Sequence, residues 1–314
     1  MTDPIALVTR GDAAVEEEWR AALAAAMPEE TILPFQALNA EQRRQADIAI
    51  VANPDPADVA ALPNLAWVQS LWAGVERLVG ELGAGAPPIV RLVDPELSRA
   101  MAEAVLAWTL YLQRDMPAYA RQQRQRVWQA LPYRAPSRTR VGLLGLGALG
   151  AAAAEDLRRA GFSVAGWSRS GQSLPGIETA TGADGLSGLL TRSDIVVCLL
   201  PLTADTRGLL DAARLAQMKP GASLINFARG PIVVTHDLIA ALDSGHLAHA
   251  VLDVFDVEPL PTDSALWDHP RVTVLPHISA PTDRASAAGI VAANVRRYRA
   301  SGAHPEPVDR VRGY

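Results

Sequence analysis

The stretch RVGLLGLGALG, residues 140–150, sets glycines at 145, 147 and 150, between an apolar run and the helix-forming sequence ALGAAAAEDLRRAG. This G-x-G-x-x-G spacing in a strand-loop-helix setting can hold a dinucleotide. Gly145 permits a tight turn, Gly147 lets the backbone approach a pyrophosphate, and Gly150 lets the helix pack close to the strand. Ala148 and Leu149 open that helix, whose first amides and dipole favour phosphate. A carboxylate would ordinarily end the next strand and accept from the ribose hydroxyls. Here FSVAGW runs instead into Ser168, Arg169 and Ser170. Hydroxyls and a guanidinium suit a 2′-phosphate, so these residues point to NADPH as the preferred cofactor, with NADH as second choice. The other reading of Arg169 is a solvated turn residue in a site indifferent to that phosphate.

Three further polar residues stand at or just past the ends of apolar runs: Arg229 in LINFARGPIVV, Glu258 in LDVFDVEPLP and His277 in HPRVTVLPHISAPT. In a doubly wound sheet the carboxyl ends of the strands form the ligand crevice, so the three can converge with the glycine loop. Singly each is weak. A lone His is more often structural, and an Arg-Gly pair is often only a turn.

The elements that must position these residues follow from apolar runs alternating with Ala-rich segments of helical period, the pattern of βαβ units and a parallel sheet. IALVT, DIAIVAN, LAWVQS and PIVRLV read as strands of a small α/β sheet in the first third. A long helix is expected over SRAMAEAVLAWTLYLQRDM with Ser98 as its N-cap, and a second over AYARQQRQRVWQAL, before the loop PYRAPSRT. RVGLLGLG, FSVAGWS, DIVVCLLP, ASLINFA, HAVLDVF and RVTVLPH then read as six strands of a Rossmann doubly wound parallel sheet. The last helix, within 284–301, returns the chain to the first domain. The expected division is a discontinuous, flavodoxin-like α/β substrate domain, 1–97 with 285–314, and a dinucleotide-binding domain, 98–284.

Composition narrows the function classes. The chain has 314 residues, 49% hydrophobic, with a formal net charge of −5, which offers no general attraction to nucleic acid or anionic membrane. No run of about twenty apolar residues is present, and Met1 leads into Thr2, Asp3 and Pro4, so the expectation is a cytoplasmic protein. The basic tract RQQRQRVWQALPYRAPSRTR reads as a solvated helix and connector. Cys198, the only cysteine, sits in an apolar run and reads as a small core hydrophobe. His246 and His249 stand at a turn entering a strand rather than on one helical face, which gives no metal site.

In order and spacing the glycine loop, Arg229, Glu258 and His277 resemble the D-isomer-specific 2-hydroxyacid dehydrogenase family, over most of the chain. GWSRS, MAEAVLAWTLYLQRDMPAY, LPLTADTRGLL, HPRVTVLPHIS and VDRVRGY are similar to the glyoxylate/hydroxypyruvate reductase A branch. The resemblance implies reduction of a small 2-keto acid. His277 would protonate the carbonyl, Glu258 would orient the imidazole, and Arg229 would bind the acid. VQSLWAGVERL matches the family's carboxylate-binding loop, implying Trp72, Ala73 and Gly74 as substrate contacts. Trp72 replaces a commoner small residue, and it either narrows the pocket or packs between domains. Leu200, Pro201 and Thr206 would lie along the nucleotide, with Ala228, Asp253 and Ala280 near the nicotinamide. The long apolar helix, with the family likeness, implies a homodimer. Alternatives are a reductase of bulkier 2-keto acids and a nucleotide-sensing corepressor-like protein.

Overall fold

The computed structural model describes residues 3–83, 85–169 and 171–310. The chain divides into two compact units, Met1–Glu96 with Thr282–Tyr314, and Leu97–Pro281.

The first unit runs β1 (Ile5–Thr9), α1 (Ala13–Ala26), β2 (Ile32–Pro34), α2 (Ala40–Gln45), β3 (Ile48–Ala52), α3 (Pro56–Ala60), β4 (Trp67–Ser70), α4 (Glu76–Leu82) and β5 (Ile89–Val90). The strands pair in parallel in the order β2-β1-β3-β4-β5, the flavodoxin-like winding. β3 is buried at every position, because a parallel strand with both faces covered must be apolar throughout. β2 was not expected from the sequence. It is a three-residue edge strand ending in Pro34, where a missing N–H costs no ladder bond.

The second unit opens with α5 (Pro95–Gln113), whose first two residues precede the division, and α6 (Met116–Gln125). Then follow β6 (Arg140–Leu144), α7 (Ala148–Arg159), β7 (Ser163–Trp167), β8 (Glu178–Ala180), α8 (Gly182–Arg192), β9 (Ile195–Cys198), α9 (Ala212–Gln217), β10 (Ala222–Asn226), α10 (Thr235–Asp243), β11 (Leu247–Leu252) and β12 (Val272–Val274). All seven strands are parallel, in the order β12-β11-β10-β9-β6-β7-β8. Six were expected. The addition is β8, the short polar edge segment ETA. The winding reverses between β6 and β9, the switch point at which such sheets receive ligands.

α11 (Arg284–Ser301) rejoins the first unit. Its Ala287, Ala288, Val291, Ala292 and Val295 pack with Ile5, Leu7, Trp19 and Trp67. Side-chain hydrogen bonds fasten it there: among them, Ser286 Oγ donates to Asp94 Oδ1 at 2.8 Å, Asn294 Nδ2 donates to the buried Gln69 Oε1 at 2.9 Å, and Arg299 Nη1 donates to Asp47 Oδ2 at 2.7 Å.

Two local expectations need correction. Ser98 does not cap α5, which starts at Pro95 after Asp94 accepts from the Glu96 amide at 2.9 Å. Pro at the first helical position is preorganised and leaves no donor unmet. The second helix stops at Gln125 rather than running to Leu131, because Arg126 turns left-handed (φ 57) and ends the hydrogen-bond ladder.

Candidate active site

In the glycine loop each residue's role follows from the space around it. Gly145 stands at φ 103, its amide donating to the Trp167 carbonyl at 2.9 Å. A Cβ there would lie 2.8 Å from the Leu199 carbonyl oxygen, and a Cβ on Gly150 would lie 2.0 Å from that of Gly145. A Cβ on Gly147 would meet nothing within 4 Å. The loop is therefore closed on its strand side and open on the other. Gly147 caps α7, and Ala148 and Leu149 start it, so unbonded amides face the open side.

After β7, Ser168 is buried, and its Oγ accepts from the Gln172 amide at 3.0 Å. Arg169 reaches within 3.6 Å of Asp205, a half-exposed surface pair of little energy. Ser170 lies outside the described residues. The loop after β9 holds itself together: Thr206 Oγ1 donates to the Pro201 carbonyl at 2.7 Å and accepts from the Thr203 amide at 2.8 Å. Thr206 thus fixes the backbone of this loop, with Leu200 buried beside Gly145.

The remaining site residues lie past the carboxyl ends of β10, β11 and β12. Asn226, which the sequence reading missed, is buried at the end of β10 and brackets the turn. Its Oδ1 accepts from the Ala228 amide at 3.2 Å, and its Nδ2 donates to the Arg229 carbonyl at 3.1 Å. Arg229 Nη1 donates to the Ala228 carbonyl at 2.7 Å. Gly230 was also missed. A Cβ on it would fall 2.0 Å from the Phe255 carbonyl carbon, so only glycine lets these two loops touch. From the Phe255 loop comes Glu258. Its Oε1 accepts from the Phe255 amide at 2.9 Å, and its Oε2 lies 2.7 Å from Nδ1 of His277.

His277 has a left-handed backbone (φ 55), a conformation that a non-glycine residue keeps only where its surroundings impose it. Here Asp253 imposes it. Both its carboxylate oxygens accept, at 2.8 Å, from the amides of Ile278 and Ser279. Ala280 packs against the apolar layer beneath. Asn226 could have been noticed as an amide ending a buried apolar strand. The Asp253 clasp joins residues 25 apart, which no local pattern shows.

In the first unit, Trp72, Ala73 and Gly74 follow the carboxyl end of β4. Trp72 donates its amide to Ser70 Oγ at 3.0 Å, and its ring meets Trp19 edge to face, centroids 5.8 Å apart. The indole is thus engaged within its own unit. Its Nε1 is buried without a partner.

Residues 106–279 match the family model described as D-isomer specific 2-hydroxyacid dehydrogenase, NAD binding domain. Over 302 residues, 94% of this chain and 96% of the relative, the sequence is 38% identical to glyoxylate/hydroxypyruvate reductase A of Citrobacter koseri. The chain belongs to the D-isomer specific 2-hydroxyacid dehydrogenase family. It is an NAD(P)-dependent oxidoreductase. A crystal structure of a family member from Xanthobacter autotrophicus, in complex with NADPH and MES, superposes with a TM-score of 0.92 at 41% identity, covering 100% of both chains. An NADPH-dependent glyoxylate/hydroxypyruvate reductase from Sinorhizobium meliloti, in complex with NADP and sulfate, gives a TM-score of 0.90 at 36% identity, covering 99% of this chain and 100% of that one.

The residues present fit a nicotinamide dinucleotide: the open face at Gly147, the free amides of α7 and a strand end without a carboxylate all favour phosphate. Among the described residues no group of His, Cys, Asp or Glu could hold a metal, and no helix is long and apolar enough to cross a membrane. Cys198 is fully buried, and burial pushes its thiol up to about 12, which makes it a core residue rather than a nucleophile.

Proposed function

We propose that this enzyme reduces small 2-keto acids with NADPH, glyoxylate to glycolate and hydroxypyruvate to D-glycerate. The observation that carries this reading is the 2.7 Å pairing of His277 with Glu258, on the same sheet edge as the nucleotide loop. Glu258 holds Nδ1, which leaves Nε2 to give its proton to the substrate. The bound nicotinamide supplies the hydride. Negative charge then builds on the carbonyl oxygen, where the His277 proton and the Arg229 guanidinium stabilise it. Arg229 also binds the acid's carboxylate. The backbone amides of Ala73 and Gly74 are further candidate contacts, whereas the Trp72 amide is already given to Ser70 Oγ. Ser168, Arg169 and Ser170 take the 2′-phosphate. Leu200, Pro201, Thr206, Ala228 and Ala280 border the cofactor, and Asp253 fixes the loop that carries His277.

The same reading places the enzyme in the cytoplasm, acting on small molecules and not on nucleic acid. We also take it to be a homodimer, because Leu110, Met116, Val127, Trp128 and Tyr133 are exposed together along α5, α6 and the segment after them. A monomeric mass by light scattering at micromolar concentration would contradict this. The activity is tested by initial rates of NADPH oxidation with glyoxylate, hydroxypyruvate, pyruvate and phenylpyruvate, repeated with NADH. Preference for NADPH and for the two small acids supports the reading. Turnover of phenylpyruvate alone, or of NADH alone, overturns it.

A further inference from the structure

The second unit contains a cavity of about 550 Å³ that the reduction does not use. Its lining includes Thr139, Ile195 and Gly221, at or just before the amino-terminal ends of β6, β9 and β10, and Ala248, the second residue of β11. The nucleotide loop, Arg229 and His277 all follow carboxyl ends, so the cavity opens on the opposite edge of the same sheet. Its size is that of a small-ligand site.

The charges around it are unequal. Arg121, Arg134, Arg138 and Lys219 line the cavity, against only Asp115 and Asp194. Asp194 is already held by Lys219 at 2.7 Å, by Arg134 at 3.2 Å and by the Arg140 amide at 2.9 Å. Among the described residues no carboxylate pairs with Arg121 or Arg138.

Two buried polar side chains in the lining each keep one atom without a partner. Gln113, 8% exposed, gives its Nε2 to the Arg134 carbonyl, but its Oε1 is buried and accepts from nothing. His249, 5% exposed, meets Thr273 Oγ1 through Nε2 at 2.9 Å, while its Nδ1 is buried and unbonded. Burial, with the nearby charges of Arg121, His269 and Arg271, pushes His249 down to about 4, so the ring is neutral. Unpaired buried groups of this kind are costly unless something else satisfies them.

We propose that this cavity binds a compact phosphate monoester that also carries hydroxyl groups. The excess of two cations over carboxylates matches a dianion, and guanidinium groups bind phosphate oxygens as a fork. Gln113 Oε1 can only accept, so the ligand must offer it an O–H. A sugar hydroxyl does this and an ionised polycarboxylate cannot.

Ribose 5-phosphate is the probe, titrated calorimetrically into the full-length protein already saturated with NADPH, so that the 2′-phosphate site is filled. Binding in the sub-millimolar range is expected, weakening as salt is raised. Arg121→Gln and Arg138→Gln should each weaken it about tenfold, the usual loss for one charge-assisted hydrogen bond. Both variants should keep wild-type reduction kinetics, and because Arg138 is exposed its replacement leaves the fold intact. Absence of binding overturns the proposal. So does an affinity unchanged in the Arg121→Gln/Arg138→Gln double variant, which would mean that the phosphate sits elsewhere.

Discussion

Replacing Glu258 with Gln tests the proposed proton donor at its support. The carboxylate makes two contacts, one with the Phe255 amide at 2.9 Å and one with His277 Nδ1 at 2.7 Å. A carboxamide has a single oxygen and cannot accept at both. If its oxygen stays on Phe255, its NH₂ faces Nδ1, which must then accept, and the ring is forced neutral. If it flips, two donors meet at Phe255. A charge-assisted hydrogen bond is worth about 1.5–3 kcal/mol. The pair is partly solvated, with side-chain exposures of 53% and 36%, so the lower end applies. That corresponds to a fall in kcat of about 10- to 30-fold. KM should change little, since neither residue is proposed to bind the carboxylate. The assay is steady-state reduction of glyoxylate by NADPH across neutral pH. A Gln variant within twofold of wild-type kcat would show that Glu258 does not support the acid, and the mechanism would need a different one.

Other consequences are equally open to measurement. Arg169→Ala should raise KM for NADPH about tenfold while leaving NADH kinetics unchanged, and an equal effect on both cofactors would remove Arg169 from the 2′-phosphate site. Gly150→Ala drives a Cβ to 2.0 Å from the Gly145 carbonyl oxygen. It should destabilise the fold by about 1–3 kcal/mol in urea and abolish dinucleotide binding; a variant that binds NADPH normally would refute the close packing. His249 is held near 4 in the folded state, below its unfolded value of about 6.5, so the unfolded chain binds more protons between these pH values. Stability from this residue is present above about pH 6.5 and lost as pH falls towards 4, amounting to about 2 kcal/mol between pH 7 and pH 5. His249→Phe should flatten that part of the urea-midpoint profile, and an unchanged slope would assign it to other groups.

What could be read from the residues alone depended on how local the signal was. β3, β9 and β10 announce themselves as apolar runs because both faces of a parallel sheet are covered. β2 and β8 pass unnoticed, since three residues at a sheet edge need neither alternation nor a long apolar run. The end of α6 at Arg126 bears no glycine or asparagine to mark its left-handed turn. At the site, the glycine loop is a contiguous motif and could be recognised. Glu258 and His277 were legible as candidates because each follows a strand, yet their contact spans 19 positions. Gly230 and the Asp253 clasp join loops from neighbouring crossovers, whereas Asn226 brackets only its own turn. Trp72 was ambiguous for a similar reason, because the Trp19 ring that engages it belongs to α1.

The return of α11 to the unit formed by the first 96 residues has a consequence for biosynthesis. The stretch 97–281 is contiguous and can close its own sheet as it leaves the ribosome, whereas the five-stranded sheet begun earlier still lacks Ala288, Val291 and Val295 on one face. Until those residues emerge, Ile5, Leu7 and Trp67 remain incompletely covered, a condition that invites chaperone binding or association between nascent chains. The order of completion is thus the reverse of the order of translation. A chain arrested on the ribosome with only residues up to 281 exposed should show a protease-resistant nucleotide-binding unit behind a cleavable amino-terminal segment, and equal resistance of both would mean that the first unit closes without its last helix.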